Sequence, residues 1–545
     1  MNLSIDLNFD DLLKSLPLVG LYAETHFKFW IPFSRYFRRE PELIFDAPWR
    51  LQPGQTPTLF LVIKDAHVYP VQLNAVEISV SQNGQSIGHQ SWQLDRYIVK
   101  QQTELEFELT DFDTPAGEIE VMPVLHYTID GKKRKLKVDN YLQIKKPPLR
   151  ITLAEDRLPE ITGWLNGDTH LHTSLTTDQI EFGASLEMTR KGAELFGMDF
   201  ISATDHSYDL DDLPDNYLRN DPELRKWRAS RQSIQTLNDS HVVPIIPGEE
   251  ISVANHLGAT VHFLHFNDAT YFPGNGDSGD NWPKVSSELS IDDVLAQRSD
   301  DTVSIGAHTA YQFPWLPRIL LNRGTWESED HNNSELDGVQ ILCGTPASSS
   351  FQKSRQLWID ALLKGHRLGA YGGSDGHGNF NRNWHINLPT WSLGIHEDQI
   401  FGQSRTLLRT QSARIDSLIE AMKLRRSAVT TGPMGDLTVQ DGDSTYGIGD
   451  SLVSARDEQL SIELTGISTR EFGSEMDITL YWGDLQKGAE SIIHHEVDLV
   501  ESFTIELPFS PDSNGYLRIE ITSEGSRWPG LYLSSPIWIE LKHPV

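Results

Sequence analysis

The chain has 545 residues, of which 38% are hydrophobic and 23% are charged, and its formal net charge is −31. A chain of this length is too long for one hydrophobic core and too apolar to stay unfolded, so we expect two to four folded domains. The negative charge excludes a dedicated nucleic-acid-binding or anionic-membrane-binding protein, because phosphate backbones and headgroups would be repelled.

The N-terminal segment carries Asp6, Asp10 and Asp11 where a secretion signal has a basic start and an apolar run, so we expect a cytoplasmic protein. No stretch approaches the roughly 18 consecutive apolar residues of a membrane span. The single cysteine, Cys343, excludes an intramolecular disulfide and a thiolate zinc cluster. Any bound metal must therefore have nitrogen and oxygen ligands.

The first 150 residues contain two kinds of pattern. For residues 1–40, which are rich in Phe, Trp and Arg, we expect a helical extension. Residues 41–150 alternate apolar and polar side chains in short segments, with an Asp130-Gly131 turn between two of them. Alternation with period two and a turn of this type predict antiparallel hairpins and hence a β-sandwich.

Residues 160–430 follow a different pattern, in which extended apolar segments alternate with helical ones. A helix is predicted from Ser185 to Gly197, and Ser290 with Asp293 forms a capping box ahead of another. Alternating helices and strands predict an α/β unit with a mostly parallel sheet or barrel. Residues 431–545 return to short alternating strands, which predict a second β-sandwich.

Histidines and carboxylates follow the apolar segments of this central region, which holds 13 of the 20 histidines. The motifs are GDTHLHT, SATDHS, IIPGEEIS, ATVHFLHF, SIGAH and GGSDGHG. In a parallel α/β barrel such positions meet at one end of the sheet. Unpaired buried charges would cost several kcal/mol each, whereas metal coordination compensates them. Imidazole and carboxylate ligands favour Zn, Mn or Fe, so we expect two or three divalent ions.

These motifs resemble those of the PHP (polymerase and histidinol phosphatase) superfamily and follow the family order across residues 160–430. The resemblance implies a distorted (β/α)7 barrel with a trinuclear metal site. It implies that the first ion binds His170, His172, Glu250 and Asp375, the second binds Glu250, His262 and His308, and the third binds Asp178, His206 and His377.

Three positions of this ligand set have alternatives. Asp178 fits the family spacing and is preferred as a ligand, and the alternative is a loop aspartate. His256 and His265 lie close enough in sequence to replace His262. Glu250 fits the family pattern Gly-x-Glu, which leaves Glu249 to a structural role.

The resemblance implies a hydrolase in which a hydroxide bridging two ions attacks the substrate, with a small phosphoester as the favoured substrate. His206 or Asp205 would assist proton transfer, and Arg382 would hold an anionic substrate group. GWLNGDTHLHT, PGEEIS, GGSDGHGNFNR and RRSAVTTGP further resemble a branch with carbamate-hydrolysing enzymes, so ester, amide or carbamate hydrolysis is an alternative. A non-catalytic, metal-stabilised binding or scaffold protein is another. No particular oligomeric state is predicted.

Overall fold

The computed structural model describes residues 40–110, 116–141, 145–176, 183–214, 216–240, 242–276, 286–311, 318–319, 321–382, 399–455 and 458–542. The helical extension predicted for residues 1–40 and the candidate ligand Asp178 lie outside the described residues. Described strands greatly outnumber described helices, so the protein is β-rich with several sheets.

The N-terminal strands form two sheets around a shared core. They are β1 (Glu42–Asp46), β2 (Arg50–Leu51), β3 (Thr58–Lys64), β4 (Val71–Gln82), β5 (Gln85–Ile98), β6 (Gln102–Glu108), β7 (Gly117–Ile129), β8 (Lys132–Lys137) and β9 (Leu149–Leu153). One sheet has the order β1-β3-β6; the other has the order β2-β9-β7-β4-β5, with β8 on β7. Asp130 and Gly131 join β7 to β8 with φ angles of 47° and 72°, as a type I′ turn requires. The β-sandwich predicted from the alternation is therefore confirmed.

The central elements mix strands and helices. They are β10 (Trp164–Asp168), β11 (Leu171–His172), α1 (Leu186–Phe196), β12 (Phe200–Ala203), α2 (Ser207–Leu210), β13 (Asp212–Leu213), β14 (Asn216–Asn220), α3 (Arg225–Asn238), β15 (Ile245–Ala254), β16 (Thr260–Phe266), α4 (Ile291–Gln297), β17 (Val303–Gly306), α5 (Ser328–His331), β18 (Gly338–Leu342), α6 (Ser349–Leu363), β19 (Gly369–Gly372), β20 (Gly376–His377), β21 (Arg405–Arg409), α7 (Ile415–Lys423) and β22 (Ser427–Thr430). Ser185 caps α1, and Ser290 with Asp293 forms the expected capping box of α4.

The central sheet departs from the regular (β/α)7 barrel that was expected. Its order is β19-β18-β17-β16-β15-β12-β10-β21-β22, and the pairs β15–β16, β16–β17 and β10–β21 are antiparallel. Residues 255–259 join β15 to β16, and this turn is too short for the crossover of a dozen or more residues that parallel strands need. A uniformly alternating parallel barrel is therefore wrong for this region.

The two ends of the central sheet approach each other through side-chain hydrogen bonds. Gly372 N in β19 donates to Thr406 Oγ1 in β21 at 3.0 Å, and Thr169 Oγ1 donates to Gly372 O at 3.0 Å. The sheet thus curls until β19 lies against β21. This curvature brings the strand ends that carry histidines and carboxylates to one side.

The C-terminal strands form the second predicted sandwich. They are β23 (Met434–Asp441), β24 (Ser444–Gly447), β25 (Ser451–Ser454), β26 (Leu460–Ile467), β27 (Glu475–Asp484), β28 (Ala489–Val500), β29 (Ser502–Phe509), β30 (Gly515–Ser523), β31 (Gly530–Ser534) and β32 (Ile537–Leu541), with a 3-10 turn at Arg470–Phe472. The order β24-β23-β26-β29 forms one sheet, whereas β31, β30, β27 and β28 continue the central sheet from β22. The boundary predicted near residue 430 therefore falls within a continuous sheet. None of the described helices is long and apolar enough to cross a bilayer.

A buried arginine links all three regions. Arg50 in β2 is fully buried, and its Nε donates to Glu471 Oε2 of the C-terminal region at 2.8 Å. Its Nη1 donates to Phe196 O at the end of α1 at 3.2 Å. Such a pair keeps a desolvated guanidinium charge compensated, so its loss should uncouple the regions.

Glu471→Gln should lower the free energy of unfolding by about 3 kcal/mol, because it leaves Arg50 buried without its carboxylate. Urea unfolding followed by tryptophan fluorescence measures the change. Arg414→Met is the control: Arg414 is 79% exposed and 3.6 Å from Asp416, so the expected loss is below about 1 kcal/mol. Equal losses in the two variants would contradict a structural role for the Arg50–Glu471 pair.

Candidate metal centre

Eight side chains from several strands and from the segments that follow them meet in one largely buried group, which we call the Glu250 cluster. Its members are Glu250, Asp375, His170, His172, His206, His262, His308 and His377. His170 and His172 follow β10, and the short parallel pair β11–β20 sets His172 beside His377. His206 follows β12, and His308 follows β17. The curled sheet therefore gathers residues that are far apart in sequence, as the motif positions predicted.

The Glu250 carboxylate is the centre of the cluster. Its Oε2 lies 3.3 Å from His170 Nε2, 3.2 Å from His172 Nε2 and 3.1 Å from His206 Nδ1. Its Oε1 lies 2.7 Å from His262 Nδ1 and 3.1 Å from His308 Nε2. One carboxylate thus faces five imidazoles, with different histidines on its two oxygens.

Three groups of ligand atoms within the cluster are close enough to share an ion. One group, His170, His172, Glu250 and Asp375, is the set that the sequence resemblance implied for the first ion. A second contains Glu250 and His262 together with His206, and Glu250 Oε1 also faces His308. A third contains His206 and His377 together with His172. The third predicted ligand of this last group, Asp178, lies outside the described residues.

Burial disfavours charge on Glu250 and on His172, yet the attraction between carboxylate and imidazole outweighs this effect at both residues. Burial raises the pKa of Glu250, but the His262, His170 and His206 imidazoles bring that pKa well below its ordinary value. Burial lowers the pKa of His172, but the neighbouring Asp375 and Glu250 carboxylates bring it well above its ordinary value. The carboxylates thus favour the protonated form of His172, and a divalent cation would replace that positive charge.

The donor set of the cluster fits divalent transition metals. Its atoms are imidazole nitrogens and carboxylate oxygens, which suit Zn, Mn or Fe. His206 Nδ1 and Glu250 Oε2 are 3.1 Å apart, but the geometry between them is not that of a hydrogen bond. Neither of these atoms, nor His206 Nε2, has a hydrogen-bond partner among the described residues. Buried polar atoms without hydrogen bonds lower the stability of the fold unless another group, such as a metal ion, binds to their lone pairs.

The alternatives that the sequence left open lie elsewhere in the structure. Glu249 accepts from Trp227 Nε1 at 2.6 Å and from Arg231 Nη2 at 2.7 Å, both on α3. His265 pairs with Asp268 at 3.0 Å. His256 contacts Asp330 at 3.1 Å. Of the candidates, the structure therefore brings Glu250 and His262 into the cluster.

Asp205 and Arg382, for which catalytic and substrate-binding roles were predicted, have other partners. Asp205 Oδ1 accepts from Thr173 N at 2.7 Å and from Thr176 Oγ1 at 3.0 Å, and its Oδ2 accepts from Thr173 Oγ1 at 2.8 Å. It therefore holds the turn that follows His172. Arg382 is buried and donates to Asp139 of the N-terminal sandwich. Each side chain is thus engaged in the scaffold, and the roles predicted for Asp205 and Arg382 stay predictions.

Three residues that sequence reasoning missed support the cluster. Asp168 Oδ1 accepts from His170 N and Ser374 N, each at 3.0 Å, and burial raises the pKa of Asp168 to about 6. Arg323 is 3% exposed and donates to His262 Nε2. Gln340 contacts the His170 ring at 2.9 Å. A lone polar residue within an apolar segment, such as Gln340 in GVQIL, is the one signal that could have pointed to its role.

Comparison with known proteins adds no assignment. No family model and no curated protein matches the chain. A glycosyl hydrolase family 2 member from Bacteroides cellulosilyticus aligns at 10% identity over 90% of this chain and 78% of its own, with a TM-score of 0.18. Beta-glucuronidase 2 from Bacteroides uniformis aligns at 10% identity over 92% and 61%, with a TM-score of 0.19. Scores this low carry no conclusion about fold or activity.

Glu250→Ala should remove more than one equivalent of bound metal, because both oxygens of this carboxylate face candidate ligands. The neighbouring variant Glu249→Ala is the matched control and should keep its metal while α3 loses its anchor. Elemental analysis of both proteins after expression with Zn²⁺ measures the difference, and circular dichroism establishes that each is folded. Full metal content in Glu250→Ala would contradict the placement of the ions.

Proposed function

We propose that this chain is a metal-dependent hydrolase of the PHP type and that it acts on small phosphoesters. The observation that supports this proposal best is the Glu250 carboxylate, fully buried and shared among five imidazoles, with Asp375 beside His170 and His172. We also propose that the curled central sheet is a distorted, mixed-strand relative of the PHP barrel. The one-sided gathering of strand ends supports that relationship.

Bound divalent ions would acidify a water molecule and stabilise the negative charge that develops in the transition state. The residues of the chain supply the geometry for this chemistry. The His206 ring stacks on Tyr208 with centroids 4.7 Å apart and planes within 13° of parallel. Packing of this kind fixes the direction of the imidazole nitrogens, so His206 serves better as a fixed ligand than as a mobile proton carrier.

An anionic substrate suits the cluster because the buried guanidinium of Arg323 lies beside His262. Arg323 forms a bridge with Thr260 at the start of β16, and the flanking Gly324 N donates to Thr260 O at 2.8 Å. Trp326, two residues after Gly324, donates from its Nε1 to His262 O at 3.1 Å. The backbone thus fixes this guanidinium beside His262. A guanidinium fork matches phosphate oxygens, and it takes the substrate-binding role that the sequence had suggested for Arg382.

Activity is tested on the full chain loaded with Zn²⁺, Mn²⁺ or Fe²⁺, using p-nitrophenyl phosphate, bis(p-nitrophenyl) phosphate, p-nitrophenyl acetate and an aryl carbamate. We expect at least one phosphoester to be hydrolysed, with activity lost on chelation, restored by metal and missing in Glu250→Ala. Hydrolysis of only the acetate or the carbamate would overturn the phosphoester assignment. Hydrolysis of none by a metal-loaded protein would favour the binding-protein alternative.

Arg323→Met should lower kcat/KM for the phosphoester by about 10- to 100-fold, as expected for the loss of a hydrogen bond between charged groups. The effect should be mainly in KM, and any hydrolysis of neutral p-nitrophenyl acetate should change little. Arg228→Met, on the exposed face of α3, is the control for removing one positive charge. Equal losses on the charged and neutral substrates would show that Arg323 does not select an anion.

A further inference from the structure

Gln340 is a fully buried amide in the middle of β18, and it contacts three other strand ends of the central region. Its Oε1 accepts from His308 N at 3.0 Å and lies 2.9 Å from His170 Nδ1. Its Nε2 donates to Gly373 O at 3.0 Å, just beyond β19. One side chain therefore joins the segments that carry His170, His308 and Asp375.

These partners fix which way the Gln340 amide points. A backbone N–H can only donate and a backbone carbonyl can only accept, so Oε1 must face His308 N and Nε2 must face Gly373 O. The oxygen then has to accept from His170 as well, which places the imidazole proton on Nδ1. In the neutral imidazole, the form that a metal ligand takes, His170 Nε2 then carries the lone pair, and it lies 3.3 Å from both Glu250 Oε2 and Asp375 Oδ1. This is the tautomer that a metal ligand needs at Nε2.

The same oxygen also holds the backbone at His308. This residue has a φ of 25°, in the left-handed region that residues other than glycine seldom adopt, and such a conformation persists only where surrounding contacts hold it. The hydrogen bond from His308 N to Gln340 is one such contact. It directs His308 Nε2 to Glu250 Oε1, whereas His170 faces Glu250 Oε2.

We propose that Gln340 is a positioning residue that sets the His170 tautomer and the His308 backbone together, and thereby couples metal binding on the two sides of Glu250. The proposal rests on the metal centre of the proposed function but not on which bond is hydrolysed. An ion bound by His170 would polarise its Nδ1–H and strengthen the hydrogen bond to Gln340 Oε1, the same oxygen that accepts from His308 N. Loading of the two sides should therefore be cooperative.

The experiment is a Co²⁺ titration of the full chain, followed by the visible absorption of the ion and by calorimetry. Gln340→Met keeps the volume but removes the acceptor and the donor, and it should weaken Co²⁺ binding by about 10- to 100-fold and separate the two loading steps. Gln340→Glu keeps an acceptor for His170 and His308, so it should stay within about 10-fold of the wild type. Gln356→Met, an exposed position on α6, is the control and should change nothing.

The Co²⁺ titrations distinguish a failure of the Gln340 proposal from a failure of the metal centre or of the proposed reaction. If Gln340→Met binds Co²⁺ with the affinity, spectrum and cooperativity of the wild type, the proposal is wrong and Gln340 only fills space in the core. If Gln340→Met does not fold, Gln340→Glu decides: a loss of affinity greater than about 10-fold in that variant would overturn the acceptor role. A wild-type protein that binds no Co²⁺ would overturn the proposal together with the metal centre. A wild type that binds Co²⁺ but hydrolyses nothing would overturn only the proposed reaction.

Discussion

The burial of the Glu250 carboxylate is the constraint on which the rest of the site depends. A buried carboxylate costs several kcal/mol unless positive charge surrounds it, and here five imidazoles from four segments of the chain face it. Its sequence neighbour Glu249 is buried as well, but the alternation of β15 turns it to the other face, where Arg231 compensates it. Because successive side chains of a strand point to opposite faces, Glu250 faces the imidazoles whereas Glu249 pairs with Arg231 of α3.

The surrounding scaffold maintains backbone conformations that the cluster needs. Asp375 has a φ of 54°, and its N–H donates to His170 O at 2.9 Å. The segment after His377 is held from outside the central region: Phe380 N donates to Asp46 Oδ2 at 2.9 Å, and Trp49 N donates to Phe380 O at 3.0 Å. The N-terminal sandwich therefore supports a ligand-bearing loop, which explains why the core of the sandwich continues into the central region.

The sequence predicted the parts of this structure that local patterns determine. Alternation identified both sandwiches, and histidines after apolar segments identified the strand ends that meet at Glu250. Long-range partners were not predictable, because an arginine in sequence carries no sign of which carboxylate it will meet. Arg382 thus pairs with Asp139, whereas Arg323, placed by a backbone bridge to Thr260, reaches His262. Asp205 stands beside a ligand in sequence, but its hydrogen bonds hold a turn.

The departure from a regular barrel and the presence of His262 in the cluster have the same origin. Because β15 and β16 form an antiparallel hairpin, Glu250 lies opposite Leu264 and Ser252 lies opposite His262, so Glu250 and His262 share one face as diagonal neighbours. Glu249 lies opposite His265 on the other face. A parallel crossover would bring only the carboxyl end of the next strand to the site. The hairpin instead contributes His262 from the beginning of β16, and it excludes His265 by the same alternation that separates Glu249 from Glu250.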